Sequence, residues 1–104
     1  MNQREHARYI VEFTVRFTGD WEGMGIVYNL CMGGCKIVTD QPLAIGGIVA
    51  LTLNLPKQPF PITVRMATVR WMLQYEFGIE FLGMEELHRE HLAQYLQSLA
   101  IAAA

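Results

Sequence analysis

Asn29-Leu30-Cys31-Met32-Gly33-Gly34 is a polar, glycine-rich break between two apolar runs, Val27 to Leu30 and Cys35 to Val38. β-Branched and apolar residues on both sides of so short a break predict a strand, a tight turn and a return strand. The adjacent glycines admit backbone angles with φ > 0 that a side chain would penalise, so the turn is expected to use them there. Asn29 and Cys31 are two residues apart and fall on one face of the first strand. An amide and a thiol side by side, next to a glycine where a ligand can approach the backbone, form a small recognition surface.

The chain on either side reads as more of the same sheet. From Tyr9, Val11, Phe13, Val15 and Phe17 alternate with Ile10, Glu12, Thr14 and Arg16, which predicts a strand burying the first set. Gly19-Asp20 signals a turn, and Asp40-Gln41-Pro42 with Gly46-Gly47 marks a loop. Val49, Leu51, Leu53 and Leu55 then face in, with Thr52 and Asn54 out. After Pro56, Pro59 and Pro61, Ile62, Val64 and Met66 share one face of the next strand, whereas Val69 and Trp71 have the opposite parity. Either a bulge near Ala67 resets the register or Trp71 faces outward. Tyr75, Phe77, Ile79 and Phe81 form the dry face of a last strand against Glu76, Gly78 and Glu80. From Glu85 the period turns helical, with Leu87, His91, Leu92, Tyr95, Leu96 and Leu99 on one stripe and Ala100 to Ala104 frayed.

Composition narrows the function classes. Of 104 residues, 52% are hydrophobic and 17% charged, which fits one small module with a genuine core. A net charge of -2 disfavours binding to nucleic acid generally, and a β-barrel binding single-stranded RNA would need a basic groove that the sequence lacks. No apolar run approaches the roughly 20 residues of a membrane span, so no membrane insertion is expected. The start has no signal-like apolar core, and a cytoplasmic location follows as an expectation. Cys31 and Cys35, spaced CxxxC, lack the second pair that structural zinc needs, and His88 and His91 lack a third ligand. Cys35 reads as a core residue and Cys31 as part of the recognition face. Ser98 is the only serine, no nucleophile and base stand together, and no phosphate-cradling loop of the Walker type occurs, so the protein is expected not to be an enzyme.

Near the N-terminus lies Arg4-Glu5-His6-Ala7-Arg8. With Asn29 to Gly34 about twenty residues downstream, it resembles the paired motifs of the PilZ domain family, RxxxR and [D/N]xSxxG. Cys31 stands where the family has serine. The resemblance runs from Arg4 to about Leu99. It implies a bacterial cyclic di-GMP receptor on a six-stranded antiparallel β-barrel with a C-terminal α-helix. Residues 1–104 would form a single PilZ domain, with 1–8 a mobile arm, 9–83 the barrel and 84–99 the helix.

The chemistry is consistent with that ligand. Arginine forks hold phosphate oxygens, or the O6 and N7 acceptors of guanine, in bidentate geometry. Arg4 and Arg8, four residues apart, can converge on one ligand if the arm folds back. By the resemblance, Asn29 accepts from guanine N1 or N2, Gly34 keeps the approach clear, and Cys31 hydrogen-bonds more weakly than the family's serine. Trp71 either stacks on a guanine or plugs the barrel. No cofactor or metal is expected beside the cyclic di-GMP ligand, and the output would be a changed surface offered to an unidentified protein partner. The rival reading is a degenerate PilZ adaptor that binds no nucleotide and acts through protein contacts.

Overall fold

Alternation from Tyr9 onward folds as read, into a strand β1 (Tyr9–Gly19) with Phe13, Val15 and Phe17 buried and Glu12, Thr14 and Arg16 exposed. The computed structural model describes residues 7–103. Within them follow β2 (Gly23–Cys31), β3 (Gly34–Val38), β4 (Ile48–Leu53), β5 (Ile62–Leu73), β6 (Glu76–Gly83) and the helix α1 (Glu86–Ala103). All neighbouring strands are antiparallel, and the order β1-β2-β3-β6-β5-β4 closes into a barrel because β1 also pairs with β4. Closure leaves no row of unpaired backbone groups at an edge. The architecture is the six-stranded antiparallel barrel with a C-terminal helix that the resemblance implies.

Every strand sends side chains inward: Val15, Val27, Ile37, Leu51, Val64 and Ile79 meet in one core. Burying a residue of this size stabilises the fold by about 1.5–3 kcal/mol each. The two buried threonines are satisfied, Thr39 Oγ1 donating to Met24 O at 2.8 Å and Thr68 Oγ1 to Gly47 O at 3.0 Å.

The helix packs against β5 and adds Leu92, Tyr95 and Leu96 to the core. Its buried stripe differs from the one predicted. Leu87 and His91 are exposed, and His88 takes the inner position one turn before Leu92. The reason is polar. Thr63 N–H donates to His88 Nδ1 at 3.1 Å, and this orientation of the helix supplies that acceptor. The helix also continues through Ala103 instead of fraying after Leu99, as a run of strong helix formers allows.

Two other expectations are corrected. Met66 does not join Ile62 and Val64 inside; β5 breaks register between Met66 and Ala67, and Met66 turns outward. Tyr75 lies exposed in the turn before β6, where Gln74 has φ 56°, so it precedes the alternation it was assigned to.

Candidate ligand-binding cleft

β2 would bury Asn29 if its parity ran on from Val27, because residues two apart share a face. A bulge prevents this. Val27 pairs with Ile37 but Asn29 with Lys36, so Tyr28 is an extra residue that swings outward. Leu30 then enters the core, and Asn29 and Cys31 lie on the outer side of the sheet, as predicted. The facing register sets the two thiols apart: Cys35 lies opposite Leu30, on the core side, and Cys31 opposite Gly34. Both cysteines are free, and their opposite faces explain why they do not bridge.

Arg8 was assigned to a mobile arm, yet it is fastened to this face. Its Nη1 donates to Asn29 Oδ1 at 3.0 Å, joining the two motifs across 21 residues of sequence. Arg4, the other half of the first motif, lies outside the described residues. Beside the Arg8–Asn29 bond opens a cleft of about 420 Å³, lined by Arg8, Cys31, Gly34 and Trp71 together with Lys36, Arg70 and Glu80. Four of the six predicted residues thus line one cleft, and Asn29 is bonded to one of the four. Cys31 is only 3% exposed, so its thiol belongs to the floor of the cleft.

The turn glycines do not adopt the positive backbone angles predicted for them. Neither Gly33 nor Gly34 has positive φ; that conformation is confined among glycines to Gly19 and Gly46. At Gly34 a Cβ would run into the Ile79 carbonyl of β6, so the residue permits β3 and β6 to approach. Gly33 contributes its carbonyl, which accepts from Phe81 N–H at 2.9 Å and holds the turn to β6.

Trp71 faces outward. A second register break in β5, between Val69 and Trp71, puts Arg70 and Trp71 both on the outer surface. The indole lies over Gly78, filling the space a Cβ would take there, and remains 45% exposed. Both alternatives weighed for the β5 register therefore hold at once: the strand is bulged and the tryptophan is out.

Lys36, Arg70 and Glu80 were missed as cleft residues. Their only trace in the sequence is outward parity, which every solvated strand residue shares. The charges are partly matched: Arg70 Nε lies 3.2 Å from Glu80 Oε1, and Lys36 Nζ 3.7 Å from Glu76 Oε1. Among the described residues Arg8 faces a neutral amide and no carboxylate, so it brings a positive charge to the cleft. Below it, burial pushes the Cys35 thiol far above the usual thiol range; the neighbouring Cys31 adds to the shift and Arg8 opposes it. Because the reactive form is the thiolate, Cys35 should resist a disulfide reagent at pH 8 until denaturant is added. The Cys31→Ser variant isolates its signal, and rapid native labelling there would contradict this burial.

A family model described as PilZ domain matches residues 2–98. The chain belongs to the PilZ domain family. Solved structures share its fold. The Bacillus subtilis inhibitor of motility (MotI/DgrA) superposes with a TM-score of 0.81 at 19% identity, over 98% of this chain and 53% of that one. This PilZ domain therefore spans about half the length of that neighbour. The PilZ domain of CeSA from a cellulose-synthesizing bacterium gives a TM-score of 0.71 at 13% identity, over 90% of this chain and 98% of that one. No curated protein sequence matches. At such identities the likeness is one of fold. The PilZ assignment places the chain in a class of cyclic di-GMP receptor domains, and no helix among the described residues is long and apolar enough to cross a membrane.

Proposed function

We propose that this PilZ domain is a non-enzymatic cyclic di-GMP receptor that takes the nucleotide in the cleft beside Arg8. The observation that carries the reading is the Arg8–Asn29 hydrogen bond, which draws the two motifs together at the mouth of the cleft. A guanidinium has five N–H donors, so the bond to Asn29 leaves Arg8 with donors for a phosphate or for guanine O6 and N7. The Asn29 amide, oriented by the same bond, supplies an acceptor for a guanine N1 or N2 donor. Trp71 offers an exposed indole face for stacking, worth about 1–3 kcal/mol per base.

Arg4 closes on the ligand from the N-terminal arm. Charge-assisted bonds from its guanidinium to the phosphates hold it there. The reorganised surface near the N-terminus is then the signal, read by a protein partner in the cytoplasm.

Isothermal titration with cyclic di-GMP, with cyclic di-AMP and GTP as controls, tests the reading. Saturable heat with cyclic di-GMP alone is expected. Absence of heat and of any thermal shift up to about 100 μM, a level that would reveal a binding free energy of roughly -5.5 kcal/mol, would favour the adaptor reading instead. The observation on that side is Cys31. A hydroxyl there donates and accepts better than a thiol, so Cys31→Ser should tighten cyclic di-GMP binding by roughly threefold to tenfold, the equivalent of about 0.5–1.5 kcal/mol. Equal or weaker binding by the serine variant would show that this position is not a ligand contact.

A further inference from the structure

Consecutive residues of a strand ordinarily point to opposite faces, yet Arg70 and Trp71 are both exposed and both line the cleft. The bulge that turns them together is held from behind. Val69 N–H donates to Gly47 O at 3.1 Å, Gly46 N–H donates to Val69 O at 2.8 Å, and Thr68 Oγ1 reaches the same Gly47 carbonyl. Gly46 takes φ +88° to make this loop, a conformation that suits glycine. A bulge pinned in this way re-aims side chains. Here it sets a guanidinium next to an indole.

The guanidinium is itself held. Glu80 of β6 contacts Arg70 through Nε, at 3.2 Å, which leaves the terminal Nη edge for another acceptor. As a stability device the contact is weak, since both side chains are largely exposed. As an orienting device it fixes the plane of the fork. Trp71 is fixed as well, its ring seated over Gly78.

We infer that Arg70 is a base-reading residue: a guanine stacked on Trp71 presents O6 and N7 to the Nη edge of Arg70, with Glu80 as the positioning residue. The inference rests on the cyclic di-GMP reading and adds the source of its preference for guanine. Adenine carries an amino donor in place of O6, which would meet the donors of Arg70 head-on. Neither Arg70 nor Glu80 belongs to the two motifs.

A chemical double-mutant cycle tests this. Wild type, Arg70→Gln, Arg70→Lys and Glu80→Gln are titrated with cyclic di-GMP and with its 7-deazaguanine analogue, which lacks the N7 acceptor, and thermal melts verify that each variant is folded. Wild type should prefer the natural ligand by roughly tenfold or more, the worth of a hydrogen bond to a charged group. Arg70→Gln and Arg70→Lys should bind cyclic di-GMP more weakly and lose that preference, the lysine because a point charge cannot span O6 and N7. Glu80→Gln, which retains an acceptor for Nε, should keep most of it. Variants at Arg70 that keep the full preference would overturn the inference while leaving the receptor reading intact. Failure of wild type to bind cyclic di-GMP would overturn both.

Discussion

Replacing Arg8 by alanine should weaken cyclic di-GMP binding about 30-fold or more, close to 2 kcal/mol, and leave the fold intact. Arg8 is exposed and precedes β1, and its one hydrogen bond in the described structure goes to an Asn29 amide that water can satisfy in its place. Stability should therefore change by no more than about 0.5 kcal/mol, as for other surface substitutions. The loss in binding is larger because Arg8 is the cleft cation not already facing a carboxylate among the described residues. Without it the described cations left in the cleft, Lys36 and Arg70, are shared with Glu76 and Glu80. Titration calorimetry beside a thermal melt separates the two quantities. An unchanged dissociation constant in a folded Arg8→Ala protein would remove the basis for placing the nucleotide here.

Gly34→Ala should show the opposite balance, with stability failing first. Its new Cβ would strike the Ile79 carbonyl, with the Ile79 carbonyl carbon at 3.2 Å and Glu80 Cα at 3.4 Å behind it. All three are backbone atoms of β6, so no rotamer change relieves the clash; β3 and β6 must part. The cost should be about 2–3 kcal/mol, from overpacking and strained ladder bonds. For a chain of this length that lowers the melting temperature by about 10 °C or more. Binding should fall as well, since β3 and β6 are the walls of the cleft. Gly46→Ala is the instructive comparison. It has positive φ but nothing within 4 Å of the added carbon, so only the conformational penalty of about 1–2 kcal/mol applies. If Gly46→Ala proved the more destabilising of the two, close strand approach would not be what position 34 requires.

Alternation and punctuation along the chain were enough for the strands, the turn between Cys31 and Gly34 and the final helix, because side-chain parity and turn chemistry are local properties of neighbouring residues. The two motifs were legible for the same reason: Arg8, Asn29, Cys31 and Gly34 are short, ordered patterns, and they meet at one place in the barrel. Local pattern did not suffice wherever a second strand decided the outcome. The bulges at Tyr28, Met66 and Arg70 depend on how much chain the partner strand offers in register, and they decided that Asn29 lies on the outer side of the sheet, that Met66 leaves the core and that Trp71 lies on the surface. The role of Gly34 came from a carbonyl 45 residues away, and the inward place of His88 on the helix goes with a bond from the Thr63 amide. Lys36, Arg70 and Glu80 entered the site only because barrel closure lays β3, β6 and β5 side by side. What the chain determines alone is which residues can form strands and which carry the two motifs. Tertiary structure decides which of them share a face, because register between strands is set by contacts that no single strand contains.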